Sequence, residues 1–486
     1  MSEDRPFPPG DYPVVVVGSG PGGLQTSYSL SRLGVEHAVL SRDETPGGMF
    51  CWAPICQRLL SWSKPDAPCR PGSREYEWYD HNSLLSDEPE AQALVPQVMD
   101  RAFMVPSRGE MERGLAAFAD RAGIRVRYGC TWEGTRREDD GRITLVTSDG
   151  EYRCRAAVFA LGVTTAWRSP IPGIEDVPHY ADALEPEEYQ GRRVFVIGKR
   201  NSGFELADAL LPWARQVILG SPRPVQTAVI ALASVRVRYL QPYEDAALGG
   251  GTFALDLAID RIERKGAGWR VLGEGTTRAG HIDLEVDDVL AATGFSTPLL
   301  DLHDLGVRAV ADGRIPALTS FWESEPGSGL YFAGNATQGA PGLRKNGVGA
   351  SSAAVHGFRY NARVMTRHLA ETHLGVEPSR TRIAPDTLVP YLLEELTHAP
   401  ELWAQKSYLA RAVTAEGEAD IVPLTHFLDG GGPDAVAGAV EMNAAGEIYP
   451  AVYVRRAGRV EEHLLPAHRL NDFRGPEYER ELASRL

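Results

Sequence analysis

Two glycine-rich turns constrain the fold of this chain more than any other feature. The first, at 18–23, reads Gly-Ser-Gly-Pro-Gly-Gly, and the second, at 198–203, reads Gly-Lys-Arg-Asn-Ser-Gly. Each turn follows an apolar, mostly β-branched run and precedes a stretch of helical spacing, at 24–33 and 204–214. A strand that turns into a helix points free N–H groups outward at a phosphate, and glycine lets the backbone approach it. The two turns therefore predict an α/β chain that holds two dinucleotides.

Length, charge and cysteine content exclude several classes of protein. The chain has 486 residues, of which 43% are apolar and 24% charged, as in a globular enzyme of two or three domains. The net charge of −15 argues against nucleic-acid binding. No apolar run of about 18 residues predicts a membrane span, and residues 1–11 lack the apolar core of a signal peptide. Five cysteines without metal-ligand spacing favour a reducing compartment, so we expect a cytoplasmic protein without a metal.

The residues that follow the second strand of each dinucleotide unit bear on which nucleotide binds there. An acid at this place binds a ribose 2′-OH, whereas an arginine suits a 2′-phosphate. The first unit has Ser41 and Arg42 there, and the second has Arg223. Arg223 therefore favours NADPH over NADH, with a solvated surface arginine as the open alternative. Lys199 and Arg200, within the second turn, are expected to add positive charge beside the pyrophosphate.

The order of the motifs resembles that of the two-dinucleotide-domain flavoproteins. Besides the two turns, it includes Ala292-Thr293-Gly294 and Tyr331-x-x-Gly334-Asn335. The resemblance covers residues 12–370 and implies that the first turn binds FAD, that the second binds NAD(P)H and that Gly334-Asn335 returns to the flavin. Two positions depart from the family pattern, because Asn335 replaces the usual aspartate and Ser41 stands where an acid is expected.

This resemblance implies a fold class and a division into domains. We expect an α/β fold with two Rossmann-like three-layer dinucleotide-binding domains and a C-terminal α+β extension. The FAD domain would comprise 1–185 and 288–375, with the NADPH domain inserted at 186–287. The strand at 289–295 would return the chain to the FAD domain. The extension, 376–486, would cap the site or form a homodimer, and the sequence leaves both open.

Within this superfamily the chain is most similar to the class B flavoprotein monooxygenases, which include N-hydroxylating and Baeyer–Villiger enzymes. Gly47-Gly48-Met49-Phe50 resembles their Gly-Gly-x-aromatic motif, and Ser61-Trp62-Ser63-Lys64-Pro65-Asp66 resembles the flavin-facing loop of N- and S-oxygenating members. Pro172-Gly173 to His179 resembles the linker before the NADPH turn, although the Phe-x-Gly part of the family signature is missing. That absence weakens the Baeyer–Villiger reading in particular.

A monooxygenase of this class uses FAD and NADPH to transfer one oxygen atom from O₂ to a small molecule through a C4a-peroxyflavin. The resemblance implies a nitrogen or sulfur centre as the target, and neither nucleic acid nor membrane as a partner. The expected catalytic candidates are Gln338, Arg344, Lys345, Asn346 and Ser61. For Arg344 and Lys345, the alternative that they are surface charges without a catalytic role stays open. The expected FAD-binding residues are Gly18, Gly20, Pro21, Gly22, Gly23, Ser41, Arg42, Gly48, Met49, Phe50, Gly334 and Asn335. The expected NADPH-binding residues are Gly198, Lys199, Arg200, Asn201, Ser202, Gly203 and Arg223.

Cys51 and Cys56 support a rival hypothesis. Their C-x4-C spacing resembles the redox pair of flavin-dependent disulfide reductases, which pass electrons from the flavin through a dithiol. Pro54 interrupts the helix that normally presents the pair, and no His-x4-Glu follows in the last 110 residues. Two unpaired thiols, or a flavin-binding protein that has lost turnover, are further alternatives. The second turn argues against the last of these, since such a protein needs no nicotinamide site.

Overall fold

The computed structural model describes residues 5–52, 58–227, 235–249, 252–278, 280–342, 350–429 and 432–486. Its contacts divide the chain into two compact units. Unit 1 comprises Met1–Cys51, Ser61–Val163 and Thr297–Leu486, and unit 2 comprises Trp52–Leu60 and Thr164–Ser296. The domain boundaries expected from the sequence stay predictions.

The strands of the described residues are, in chain order, β1 (Gly10–Asp11), β2 (Val14–Val17), β3 (His37–Leu40), β4 (Trp132–Arg137), β5 (Ile143–Thr147), β6 (Gly150–Cys154), β7 (Ala156–Phe159), β8 (Thr165–Ala166), β9 (Arg193–Ile197), β10 (Gln216–Ser221), β11 (Thr252–Lys265), β12 (Gly268–Gly275), β13 (His281–Val286), β14 (Asp288–Ala291), β15 (Phe295–Ser296), β16 (Ala309–Val310), β17 (Ile315–Pro316), β18 (Leu330–Phe332), β19 (Thr381–Arg382), β20 (Leu409–Thr414), β21 (Glu418–Pro423), β22 (Ala435–Met442), β23 (Ile448–Arg456) and β24 (Arg459–Leu464).

The α-helices of the described residues are α1 (Pro21–Arg32), α2 (Met49–Trp52), α3 (Leu94–Val98), α4 (Arg108–Arg121), α5 (Asn201–Leu210), α6 (Val237–Leu248), α7 (Val355–Leu369), α8 (Leu388–His398), α9 (Pro400–Ala404), α10 (Leu424–Asp429) and α11 (Pro476–Ala483). Short 3-10 helices occur at Glu75–Trp78, Pro89–Ala91, Ile174–Asp176, Tyr180–Asp182, Pro186–Tyr189, Leu302–Leu305, Gly334–Gly339 and Pro385–Thr387, and a π-helical turn at Ala370–Leu374 extends α7.

Unit 1 is built on a parallel sheet with the strand order β18-β7-β2-β3. The four valines of β2 are buried, as expected for a strand covered on both faces. Helix α1 packs against β2 and α7, and the mixed sheet β1-β6-β5-β4 contacts β2 through β6. These layers place the turn after β2 at the carboxyl edge of the parallel sheet, where α/β proteins bind nucleotides.

The C-terminal extension also belongs to unit 1. It forms an antiparallel sheet of order β19-β21-β20-β22-β23-β24, on which α8 packs through β22. Many of its buried residues, among them Leu396, Leu402 and Trp403, belong to the same hydrophobic core as the valines of β2. Others, among them Leu424 and Phe427, form a second cluster within the extension. The extension therefore shares the core of the first unit and also has a smaller core of its own.

Unit 2 has a sheet of order β13-β12-β11-β10-β9-β14, with α5 packed on β9 and β10. Strand β14 pairs in parallel with β9, in register from Asp288 with Val194 to Ala291 with Ile197. Strand β14 therefore lies in the sheet of unit 2, and the residues of unit 1 resume at Thr297. The three buried apolar residues of β14, Val289, Leu290 and Ala291, suit a strand in either sheet, so the sequence pattern could not assign the partner. No helix among the described residues is long and apolar enough to cross a membrane.

Candidate functional site

The turn between β2 and α1 forms the first expected phosphate site, in unit 1. Gly18 has a φ of +111°, and a Cβ added there would lie 2.5 Å from the carbonyl oxygen of Ala160. A Cβ on Gly23 would lie 1.9 Å from the carbonyl oxygen of Gly18. Both positions therefore require glycine, one for the sharp turn and the other for the close packing of α1 on β2.

Three glycine segments that are far apart in the sequence meet at this turn. A Cβ on Gly22 would lie 2.5 Å from the Cα atom of Gly334. A Cβ on Gly48 would lie 3.0 Å from the Cα atom of Gly20. The backbones thus touch where side chains would separate them. We call the segments 18–23, 47–48 and 334 the glycine cradle.

Gly20 tests whether the cradle fits a dinucleotide. Its φ of −72° suits any residue, and the nearest protein atom to an added Cβ lies 3.8 Å away. The protein itself therefore leaves room for a side chain, and a glycine is needed only if a ligand approaches this backbone. Helix α1 begins directly after Gly20, at Pro21, without a side-chain cap, which leaves its first N–H groups available. The residues fit the pyrophosphate of FAD.

Ser41, at the end of β3, is buried and bonded within the protein. Its hydroxyl accepts hydrogen bonds from the Ser19 hydroxyl at 2.8 Å and from the Asp43 amide at 3.2 Å. Asp43 lies three residues beyond the strand and is half-buried, and burial raises the pKa of its carboxyl group although Arg42 and Ser41 oppose the shift. An acid is thus present two residues after the position where the family pattern places one. Arg42 is exposed.

The Gly334–Gly339 helix follows β18 and carries two of the expected flavin contacts. Asn335 is half-buried, and its carbonyl oxygen accepts a hydrogen bond from Nε2 of Gln338 at 2.8 Å. The amide of Gln338 therefore stabilises the turn itself. The hydroxyl of Thr337 donates to the carbonyl oxygen of Gly334 at 2.7 Å. Arg344, Lys345 and Asn346 lie outside the described residues.

A buried polar network holds the Ser61 loop. The Ser61 hydroxyl donates to Oδ1 of Asn82 at 2.8 Å, and Nδ2 of Asn82 donates to the Ser63 hydroxyl at 3.1 Å. Asp80 accepts from the Ser63 hydroxyl at 2.5 Å and from the Asn82 amide at 3.1 Å. Neither Asp80 nor Asn82 was predicted as a site residue, because the long irregular segment around them has no periodic pattern. These two residues fix where Ser61 lies.

Three aromatic rings stack between this loop and the start of α7. The Trp62 and His81 ring centroids are 5.0 Å apart, and those of His81 and His356 are 3.7 Å apart. Burial, and then the charge of Arg359, lowers the pKa of His81 to about 4. Burial, assisted by the positive charges of Arg359 and Lys406, holds the pKa of His356 well below its usual value. Both imidazoles are therefore neutral at pH 7, and the sequence analysis had singled out neither.

Helix α2 carries Met49, Phe50 and the first of the two candidate redox cysteines. Phe50 is buried, and its carbonyl oxygen accepts a hydrogen bond from Arg108 at 2.7 Å. The Cys51 thiol donates to the Pro46 carbonyl oxygen at 3.4 Å. Burial, assisted by the nearby carboxylates of Glu112 and Asp43, raises the pKa of Cys51. A reactive cysteine needs the opposite shift, and Cys56 lies outside the described residues.

The second turn, in unit 2, repeats the geometry of the first. Gly198 has a φ of +125°, and an added Cβ would lie 2.5 Å from the Ala292 carbonyl oxygen. A Cβ on Gly203 would lie 2.2 Å from the Gly198 carbonyl oxygen. Helix α5 follows Arg200 without a side-chain cap. The residues fit the pyrophosphate of a second dinucleotide.

The charges around the second turn differ from the expectation at one position. Lys199 is buried and its ammonium group pairs with Asp256, which offsets the positive charge expected beside the pyrophosphate. Arg200 and Arg223 are both exposed, and Arg223 lies two residues after β10. Of the remaining turn residues, Asn201 accepts a hydrogen bond from the Arg236 amide at 2.9 Å, and Ser202 is half-buried.

Comparison with known proteins identifies the group to which these turns belong. The family profile described as pyridine nucleotide-disulphide oxidoreductase matches residues 15–334. The chain belongs to this family. Family membership confirms the prediction of an oxidoreductase of the two-dinucleotide-domain type, and it supports FAD as the cofactor.

One relative is the FAD-dependent oxidoreductase domain-containing protein 2 of Danio rerio. The two sequences are 26% identical over 460 residues, which cover 83% of this chain and 65% of the relative. The chain thus spans somewhat less than two thirds of that protein.

Two solved structures show the fold. The bacillithiol disulfide reductase from Staphylococcus aureus superposes with a TM-score of 0.57 at 15% identity, covering 74% of this chain and 98% of its own. The flavin-containing monooxygenase from Stenotrophomonas maltophilia superposes with a TM-score of 0.53 at 20% identity, again covering 74% and 98%. They confirm the expected α/β class with two Rossmann-like domains.

Proposed function

We propose that the protein is an FAD-dependent, NADPH-consuming monooxygenase acting on a nitrogen or sulfur atom of a small molecule. One oxygen atom of O₂ would enter the substrate, and the other would leave as water with the two electrons of NADPH. The observation that carries this choice over a dithiol mechanism is the environment of Cys51. Its thiol donates to a backbone carbonyl group and has a raised pKa, so it is poorly suited to attack a disulfide at neutral pH.

FAD, when bound, supplies the chemistry of hydride acceptance and oxygen activation. The glycine cradle would hold its pyrophosphate through the N–H groups at the start of α1. The network of Asp80 and Asn82 would keep the Ser61 loop in one conformation. Rigid polar groups of this kind assist catalysis because they need no reorganisation during the reaction.

NADPH is the proposed electron donor. Arg223 and Arg200 are exposed on unit 2, near the end of β10 and at the start of α5. An arginine after the second strand of the unit suits a 2′-phosphate, and one at the turn suits the pyrophosphate. Asp256 reduces the contribution of Lys199, so these two arginines carry the proposed recognition.

A flavin-dependent disulfide reductase is the second candidate. It is favoured by the C-x4-C spacing of Cys51 and Cys56 and by the half-buried position of Cys51 directly after the glycine cradle. In that case NADPH would reduce the flavin, and the dithiol would pass the electrons to a disulfide substrate.

Stopped-flow absorbance separates the two candidates. The NADPH-reduced holoprotein is mixed with oxygen, and NADPH-driven reduction of 5,5′-dithiobis(2-nitrobenzoate) is followed in parallel as a disulfide probe. For a monooxygenase, we expect the oxidised flavin spectrum to return in two resolved phases, and Cys51→Ser to leave the kinetics unchanged. Cys69→Ser, at another half-buried thiol, is the matched control. Rapid single-phase reoxidation, together with disulfide reduction that Cys51→Ser abolishes, would select the reductase instead.

A further inference from the structure

The C-terminal extension contacts residues 351–352, which lie in the sequence between the Gly334–Gly339 helix and α7. Gln405, directly after α9, is fully buried, and its Nε2 donates to the Ser352 hydroxyl at 3.1 Å. One residue earlier, the Ala404 carbonyl oxygen accepts from the Ser351 amide at 3.1 Å. The extension therefore fixes the chain just before α7 by both a side chain and the backbone.

A directed chain of hydrogen bonds continues from Gln405 to the glycine cradle. Nε2 of Gln405 donates to Oδ1 of Asn361 on α7. Nδ2 of Asn361 donates to the Thr337 hydroxyl at 3.0 Å, and this hydroxyl donates to the Gly334 carbonyl oxygen at 2.7 Å. We call these four residues the Gln405 relay. Every side chain in it is buried, and it ends on the glycine that touches Gly22.

The hydrogen bonds of the relay run toward Gly334, and the Thr337 hydroxyl lies closer to the Gly334 carbonyl oxygen, at 2.7 Å, than to that of Ser352, at 3.3 Å. Turning over the amide of Gln405 would set its oxygen against Oδ1 of Asn361 in a buried place. An unsatisfied buried polar group destabilises the folded chain, and consecutive hydrogen bonds strengthen one another. The relay therefore determines the position of the Gly334 carbonyl oxygen more strongly than apolar packing would.

A second contact supports the same role. A Cβ added to Gly342 would lie 2.8 Å from the ring of Tyr408, and the Tyr408 hydroxyl donates to the Ser320 carbonyl oxygen at 2.9 Å. Residues 405–408 thus contact Gly342 and Ser352. These two residues flank, in the sequence, the expected flavin contacts at 344–346.

We propose that Gln405 is a positioning residue of the FAD site and that the C-terminal extension completes this site. The inference rests on the proposed FAD-dependent function. Gln405 acts through Asn361 and Thr337 on the Gly334 turn, and it touches neither substrate nor cofactor in this role. The proposal gives the extension a part in cofactor binding. An extension that only capped the site or formed a dimer contact would not need such a part.

Gln405→Glu tests the proposal because it keeps the shape of the side chain and removes its donors. We expect FAD binding by the apoprotein, measured by fluorescence quenching, to weaken about tenfold. Amide hydrogen exchange at residues 334–339 should be faster in the Gln405→Glu apoprotein than in the wild-type apoprotein. Thr366→Val is the matched control, since Thr366 is equally buried on α7 but bonds only to carbonyl oxygens of its own helix, those of Ala362 and Arg363.

The outcomes separate the inference from the proposed function. Wild-type protein that binds no FAD would overturn both. Wild-type protein that binds FAD, with Gln405→Glu and Thr366→Val both binding equally well, would overturn the role of Gln405 alone. If Gln405→Glu does not fold, the two variants Thr337→Ser and Thr337→Val are compared instead. Thr337→Ser keeps the donated bond and should bind FAD normally, whereas Thr337→Val should bind about tenfold more weakly, and equal binding would overturn the relay.

Discussion

At the scale of single residues, Arg223 is the residue proposed to distinguish NADPH from NADH. It is exposed two residues after β10, where a 2′-phosphate would lie. A charge-assisted hydrogen bond to a phosphate contributes about 1.5–3 kcal/mol, so we expect Arg223→Ala to raise the KM for NADPH about tenfold or more and to leave the KM for NADH nearly unchanged. Steady-state kinetics with both cofactors measure this.

Arg215→Ala, at another exposed arginine of unit 2, serves as the control for a general loss of positive charge. Equal changes in the KM of both cofactors on replacing Arg223 would remove its proposed role.

The residues that could be predicted from the sequence are those whose conformation depends on their neighbours in the chain. Gly18 and Gly198 each follow an apolar strand directly, and both adopt the positive φ that the motif implies. Asp80, Asn82 and Gln405 were missed because their partners lie far along the chain or in a segment without periodicity. A side chain's hydrogen-bond partner leaves no pattern in the sequence unless the two residues belong to one turn or helix.

At the scale of elements, the ring contact between the Ser61 loop and α7 makes stability depend on pH. His81 has a folded pKa of about 4, below its unfolded value of about 6.5. Its neutral form is therefore favoured by folding, and this contribution is complete above pH 6.5 and declines as the pH falls toward 4. Arg359 and Lys64 oppose protonation of the ring, and Asp80 favours it.

We expect the melting temperature to fall between pH 7 and pH 5, and His81→Phe to reduce that fall while keeping the ring stack. Differential scanning fluorimetry at several pH values measures the difference. His281→Phe, at an exposed histidine of β13, provides the comparison. A pH dependence that His81→Phe leaves as steep as in the wild type would contradict the assignment.

The presence of elements was easier to foresee than their bounds or partners. The Gly-rich turns located α1 and α5, because the glycines and the following helical spacing are adjacent in the chain, but both helices begin three residues before the predicted stretches at 24–33 and 204–214. The sheet to which β14 belongs was not predictable, since Val289, Leu290 and Ala291 are suitable for any buried parallel strand. The extension gave no motif, and its place in the first core rests on contacts between distant residues.

At the scale of the whole molecule, FAD should stabilise the folded chain by mass action. Gly20→Ala adds a methyl group that the protein itself can accommodate. The same methyl group would occupy the place proposed for the FAD pyrophosphate. We expect the apoprotein of this variant to melt near the wild-type temperature, to remain colourless and to show no rise in melting temperature on addition of FAD.

Gly109→Ala, on α4, is the control, because its added methyl group meets only the end of a flexible arginine side chain. This variant should respond to FAD as the wild type does. If Gly20→Ala were as yellow and as strongly stabilised by FAD as the wild type, the first turn would not be the cofactor site.

The contact between Gly22 and Gly334 has a consequence for how the protein is made. A chain leaving the ribosome exposes α1 early, but the opposite wall of the cradle is synthesised only after most of the molecule has emerged. A nascent chain that has not yet reached Gly334 lacks this wall, so we expect flavin loading only after Gly334 has emerged.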